Sequence, residues 1–583
     1  MMADNANNAD EIVYTLQPQP GIKRDGTVLD GEFCSDGEWV RFQRGKPKKM
    51  GGFRRITDQL TGPSRKALVW TRKDLNSVTS FSSSKIETLL VDNNFVGNDI
   101  HDRTPAGFVP STNNMWTADT QYDDAVGTTG TIILAHCNQS LSNIDDDTGS
   151  KPYWALASSA TSTFVEITDA PAVSGGVFSL APYTVLYGSD GLVSWSDANQ
   201  PQVYSGSASP GDAGADRVTG AKIVAGLPMR SGRLAALLWS LDSVIRMDWV
   251  GGSAIFNFTT ASTQSSILAQ NSVIEYDGVY YWIGVDRFMY FDSRVQELPN
   301  DMNQNWFFDN LNYAHRQKIW ATKVPRYGEI WWFYPRGDAT ECSHAIIFNV
   351  RLKTWYDAEH ARSSGYYSQV RHHPVWVGGD STVQLRVSSI TNFNVGDRVD
   401  GALTQAYGTV VRIDTSSNDV FMNNVSGTFS SSETVTSSSG GSTASIFTDS
   451  PGSSSAYQQE IGHNSVIGDV EAAICSSFTT QNFGYPTGGT GDSAQGSNRW
   501  TRLTRVEPDF VMEGDMNCYV LSREFAQSET TVSDPYPFSA DTEKIDMRQQ
   551  SRHVMLKFES NTVGGNYEGG RQLVHTEMGD NRS

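Results

Sequence analysis

The 583-residue sequence contains the residue types that do chemistry, but few of them gather. His372 and His373 stand near Asp380, a set that could hold a transition metal. Neighbouring residues of a strand point to opposite faces, so both imidazoles seldom reach one ion, and a structural or surface role fits better. Asp145-Asp146-Asp147 is similar to part of a calcium loop. It lacks the glycine and terminal glutamate of an EF-hand, which favours a solvated turn. The other carboxylates are scattered, and a pair spaced for glycan cleavage cannot be read from sequence. Gly564-Gly565 and Gly569-Gly570 flank Asn566-Tyr567-Glu568 and read as tight connections, not as a phosphate cradle. There is no Walker loop, dinucleotide glycine motif or nucleophile elbow. The expectation is a protein that is not an enzyme, with no catalytic residue, no cofactor and no metal site.

One local charge feature opposes the whole. The formal net charge is −20, yet Arg44, Lys46, Lys48, Lys49, Arg54 and Arg55 cluster within a few residues. The plain account is an exposed hairpin. The functional account is a docking surface for an acidic partner or for DNA. The acidic total weakens any reading as a DNA-wrapping protein, which needs a basic footprint. It suits a channel wall from which phosphates slide.

The elements that must position these residues are strands. Aromatic and β-branched runs recur, as in Tyr183–Tyr187, Val279–Ile283, Ile330–Tyr334 and Ala345–Val350, with Gly, Asp, Asn and Ser clusters between them. Asp190-Gly191 and Asp277-Gly278 lie between apolar runs, a strong hairpin signal. Trp39, Arg41 and Gln43 alternate with Val40, Phe42 and Arg44, which predicts a strand with two distinct faces. Helix signals are scarce, and the best stretch is Asp301 to His315.

At this length several domains or blades are expected. The spacing predicts an all-β chain. It comprises an N-terminal β segment (1–64), a degenerate β-propeller region (65–383) and a small inserted β-barrel (384–456). A C-terminal β-rich region (457–583) completes the propeller or forms a platform. In the insert, the Ser-rich run Ser430 to Ser442 reads as a flexible tip or linker. A large β-sandwich is the competing architecture. Cys34, Cys137, Cys342, Cys475 and Cys518 are odd in number and far apart, which suggests reduced thiols. No apolar run is long enough to span a bilayer, and Met1 to Asp10 lacks the pattern of a signal peptide. Synthesis in a cytoplasm is the expectation.

Two terminal stretches resemble structural proteins of short-tailed bacteriophages. One is Pro20 to Thr27 followed by Gly37 to Lys49. The other comprises Glu543 to Arg548, Arg552 to Asn561, Gly564-Gly565 and Gly579 to Arg582. In the middle, Asn349 to Tyr356 looks like the strand–turn–Trp element of tail hub propellers. The chain thus resembles the podovirus tail hub, or tail nozzle, family over about a quarter of its length. The resemblance implies a virion tail protein made in the host cytoplasm. Six copies would form a tube below the portal and the adaptor (head-to-tail connector) ring. That tube would conduct double-stranded DNA without reading its sequence and would anchor fibres or spikes. Two other classes remain open: a receptor-binding tail fibre or spike, and a glycan-cleaving propeller enzyme.

Overall fold

Strand follows strand in the computed structural model, and from Ser64 to Glu359 each strand pairs with a neighbour in sequence. The model describes residues 12–27, 32–72, 75–92, 96–111, 113–125, 129–138, 149–205, 211–230, 234–367, 372–379, 383–415, 417–439, 443–468, 470–484 and 500–579. Six successive four-stranded antiparallel sheets start at Ser64–Arg72, Met115–Asp123, Gly176–Leu180, Ile223–Pro228, Ile274–Tyr276 and Trp320–Val324. They are blades 1 to 6 of a propeller. Blade 7 is built from both sides of this run. Ser364–Tyr366, Val375–Gly379 and Ser453–Gln459 pair in order, Phe53–Thr61, which precedes blade 1, adds the fourth strand, and Asn464–Ile467 and Val470–Ala473 extend the sheet beyond it. The ring is thereby closed by a strand from the N-terminal side, which covers an edge that would otherwise be open.

Alternation explains the packing. Side chains at successive strand positions face opposite sides, so each blade feeds two cores. In blade 5, Tyr280 and Trp282 pack with Trp239 of blade 4, while Tyr281 and Ile283 pack with Trp332 and Phe348 of blade 6. Trp239 and Trp282 meet edge-on with ring centroids 5.7 Å apart. Blade 7 meets blade 1 through Val375, Val377 and Ala456 against Ala67, Val69 and Val78. At Asp190-Gly191 and Asp277-Gly278 both residues have positive φ, the backbone that tight hairpins require.

The propeller expected within 65–383 therefore draws two strands of its last blade, Phe53–Thr61 and Ser453–Gln459, from outside that span, because strand pairing over hundreds of residues leaves no local signature. Among the described residues, helix is confined to Gln304–Asn310 and two 3-10 segments, Ser189–Gly191 and Tyr313–Lys318. The Asp25 carboxylate accepts the N–H groups of Asn305 and Trp306 at 2.8 and 2.7 Å, satisfying donors that a helix start leaves open.

Three further sheets join the two ends of the chain. Ile12–Leu16 pairs with Gln572–Met578, Asp36–Glu38 with Ser476–Thr479, and Lys46–Lys49 with Asn566–Gly569. Their core is continuous with blades 6 and 7: Trp39, Phe42, Trp331, Trp376, Phe478 and Phe558 belong to one cluster. The two-faced strand expected around Trp39 is Val40–Gln43, but Arg41 and Phe42 are both buried. Sheets and blades cover the hairpin on both sides.

The insert is a closed six-stranded barrel running from Val383–Val387 to Thr443–Pro451. Its halves repeat. Phe393 and Phe429, Asp397 and Glu433, Val399 and Val435, and Val410 and Ile446 each stand 36 residues apart. Strands Val383–Val387, Arg398–Gly401 and Tyr407–Asp414 match Asp419–Ser426, Thr434–Ser437 and Thr443–Pro451. The paired acids fasten the opposite half. Asp397 accepts the hydroxyls of Ser437 and Ser439, and Glu433 accepts the N–H groups of Leu403 and Thr404 at 3.0 and 3.1 Å. The Ser-rich run thus contains a barrel strand, Thr434–Ser437, whose Val435 is buried. It is not simply a linker.

The barrel ends at Pro451, and Ser453–Gln459 already belongs to blade 7. Gly379 and Ser454 are register partners, so the barrel leaves and re-enters the propeller at one point. Replacing residues 380–452 by a short Gly-Ser turn is expected to leave a folded propeller, read as a retained cooperative unfolding transition. Extending the cut through 456 removes half of a central strand of blade 7. That variant should lose the transition, and equal behaviour of the two would overturn this boundary.

Candidate functional site

The first strand of each blade lies innermost and borders the propeller axis. There the inner strands enclose a cavity of about 350 Å³. Its polar lining comes from separate blades: Lys66, Asp119, Arg230, Glu275, Lys323 and Tyr366, while Val177 and Phe178 of blade 3 add apolar wall. A second cavity of about 370 Å³ lies at the starts of the inner strands. Gln270 lines both and donates from Nε2 to the Gly175 carbonyl at 2.6 Å.

The ionic groups are sorted by partner. Glu275 accepts Lys323 Nζ at 3.0 Å and the Gly278 N–H at 2.8 Å, and Arg230 Nε stands 3.4 Å away. Burial alone would raise the Glu275 carboxyl, but these donors hold it below its ordinary value. Asp119 accepts the N–H groups of Ser179 and Thr120 at 2.9 and 2.8 Å. Burial outweighs them and raises it. Burial also lowers Lys66, against the charge of Asp119. Tyr366 is raised by burial and then by Asp119.

Beside the cavity, blade 1 reaches to blade 6. Glu341 is clasped by Arg65 at 2.9 Å and by Lys318 Nζ at 2.8 Å. Burial would raise its carboxyl, but the two cations outweigh burial and take it down to about 2. The inventory here is a polar chamber with one carboxyl raised by burial, one held ionised, and a half-buried amine.

The six basic residues read as a docking surface do not share one face. Arg44 and Lys46 are exposed at the hairpin tip, with Lys46 Nζ 3.6 Å from Glu568. Lys48 is half-buried and in register with Glu568. Lys49 is buried, and burial pushes its amine down to about 8. Arg54 and Arg55 lie half-buried on blade 7, where Arg54 donates to Gln458 at 2.9 Å. The hairpin is exposed only at its tip, because its second strand is sandwiched between sheets.

His372 and His373 meet edge-on, 4.6 Å between ring centroids, and Asp380 and Asp145–Asp147 lie outside the described residues. Among the described residues no group of three metal-ligating side chains occurs. Gly564 and Gly565 form the connection between two strands, and the Gly564 N–H donates to Asn464 at 2.8 Å.

Sequence reasoning missed the chamber. Its one available signal is a charged residue inside the first strand of a four-strand unit, as in Ile274-Glu275-Tyr276 and Trp320-Ala321-Thr322-Lys323-Val324.

No family model and no curated protein matches the chain. Two of the solved structures that resemble it share 9% identity with it. One is an exo-β-1,3-galactanase from Phanerochaete chrysosporium with galactose, covering 89% of this chain and 100% of that one at a TM-score of 0.23. The other is YCF48 bound to D1 peptide, covering 56% of this chain and 92% of that one at a TM-score of 0.30. At those scores neither bears on function. No helix among the described residues is long and apolar enough to cross a membrane.

Proposed function

We propose that this chain is a structural, non-catalytic subunit of a short-tailed phage tail, the hub or nozzle. Six copies form a tube below the adaptor ring, and the tube conducts DNA and carries fibres or spikes. One observation carries the reading: the two terminal stretches that resemble this family fold together. His553–Ser560 lies in the sheet that receives Asp36–Glu38, and Val40–Gln43 and Lys46–Lys49 share a sheet with Asn566–Gly569, the strand that directly follows Gly564-Gly565. That platform is fused to blades 6 and 7 through a common core. Asn349 to Tyr356 supports it too: Asn349 accepts the N–H groups of Arg351 and Leu352, both at 3.0 Å, and places Trp355 in the core.

A duplex is far too wide for a cavity of about 350 Å³, so in this reading the DNA passes between subunits. A chain of net charge −20 supplies a wall that binds phosphate weakly. Ring contacts of this kind join unlike patches, and a neighbouring ring can template them. Arg44 and Lys46 at the hairpin tip would be the docking cations.

Electron microscopy of the assembled particle tests the proposal. The expected result is a six-fold axial tube beneath the portal. Three-fold peripheral spikes would establish the fibre reading instead, and a free soluble enzyme with glycan-cleaving activity would establish the third.

A further inference from the structure

We propose that the central cavity of the propeller binds a sugar acid, a single-ring polyol bearing one carboxylate, with Lys66 as its anion-binding group. The inference is independent of the tail reading and rests on how the chamber's polar atoms are paired.

Consider the cations first. Arg65 is clasped by Glu341, while Lys323 and Arg230 share Glu275. Lys66 makes no side-chain hydrogen bond or ion pair among the described residues, yet it lines the cavity. Its half-buried amine is opposed by the charge of Asp119 without a hydrogen bond between them, and a bound carboxylate would supply a charge-assisted one. One available amine suits a monoanion. A phosphate group, with more charge and more acceptor oxygens, would call for several donors.

The carboxylates agree with this. Glu275 is neutralised by Lys323, so it repels little. Asp119 is the acidic group that acts on Lys66, and its carboxylate is already engaged by the N–H groups of Ser179 and Thr120.

The remaining lining fits hydroxyl groups and ring C–H faces. The Tyr366 hydroxyl makes no hydrogen bond among the described residues. The Asn271 amide is held by its nitrogen, which donates to the Trp116 carbonyl at 3.3 Å and leaves its oxygen to accept. Val177 and Leu227 offer apolar surface beside them. A volume of about 350 Å³ lies in the range of small-molecule sites, which are mostly apolar with a few placed polar groups.

Calorimetric titration of the full chain with D-glucuronate, D-glucose and inorganic phosphate tests the proposal. Glucuronate should bind at least about tenfold more tightly than glucose or phosphate, the worth of one charge-assisted hydrogen bond. Lys66→Met should weaken glucuronate by about tenfold or more and leave the circular dichroism unchanged. Tyr366→Phe should weaken it by a smaller factor. The proposal is overturned if glucuronate gives no heat up to about 10 mM. It is overturned equally if glucose binds as well, if phosphate binds as well, or if a folded Lys66→Met protein binds undiminished. The three-ligand comparison on the unaltered protein decides the matter even where a variant fails to fold.

Discussion

Arg41→Met is expected to destabilise the protein by about 3–5 kcal/mol, the cost of removing one partner from a buried charge network. The Arg41 guanidinium is 1% exposed and lies between two carboxylates from different parts of the chain. Its Nε stands 2.9 Å from Glu329 of blade 6, and its Nη2 stands 2.6 Å from Glu460, just past blade 7. Tyr327 covers its face at 3.7 Å, and Tyr356 and Trp331 donate to Glu329 at 2.7 and 2.9 Å. The network ties the platform hairpin to the propeller, so its loss reaches both.

The pH dependence has a definite sign. Burial raises the Glu329 carboxyl even with Arg41 beside it, and removing the guanidinium raises it further. A group raised in the folded state contributes stability that is lost as pH rises through its folded pKa. The deficit of Arg41→Met should therefore be largest near pH 8 and should narrow toward pH 4. Urea denaturation at a series of pH values measures it. Adding Glu329→Gln and Glu460→Gln should recover much of the loss, since no buried charge then stands alone. A loss below about 1 kcal/mol for Arg41→Met would place the network among exposed pairs of little worth.

Glu341→Gln is expected to have the opposite pH signature. Its carboxyl lies at about 2 in the folded state against an ordinary 4.5, held down by Arg65 and Lys318. A depressed carboxylate contributes stability above the unfolded value and loses it as pH falls through the folded one. The shift corresponds to about 3 kcal/mol. The unaltered protein should lose that amount between roughly pH 4.5 and 2, and Glu341→Gln should lose it already at pH 7. The two proteins should converge near pH 2. Parallel acid transitions in both would falsify the assignment of this clasp, which joins blade 1 to blade 6.

Much of the architecture was legible in the chain. Asp190-Gly191 and Asp277-Gly278 announce hairpins because few other residues tolerate two successive positive φ angles. Runs such as Val279–Ile283 announce strands buried on both faces, because aromatic and β-branched side chains suit a pleated surface. The texture change near residue 384 announces the barrel. Its 36-residue repeat, with Phe393 and Phe429 and with Asp397 and Glu433, lies in the sequence but was not read there, because the strands it relates are short and the matching residues few.

Tertiary structure decided the rest. Phe53–Thr61 reads locally as one more strand, and only pairing with Ser453–Gln459 makes it the closure of the propeller. Lys49 reads as one more surface lysine, yet sheets that meet over it bury it, whereas Lys46 three residues earlier remains in water. Lys66, Asp119, Glu275 and Tyr366 are scattered across 301 positions, from 66 to 366, and become one chamber only when the blades close. Local propensity acts over a few residues and fixes the strands. Which charges meet depends on chain closure over hundreds, and the burial that shifts their protonation exists only once the ring is complete.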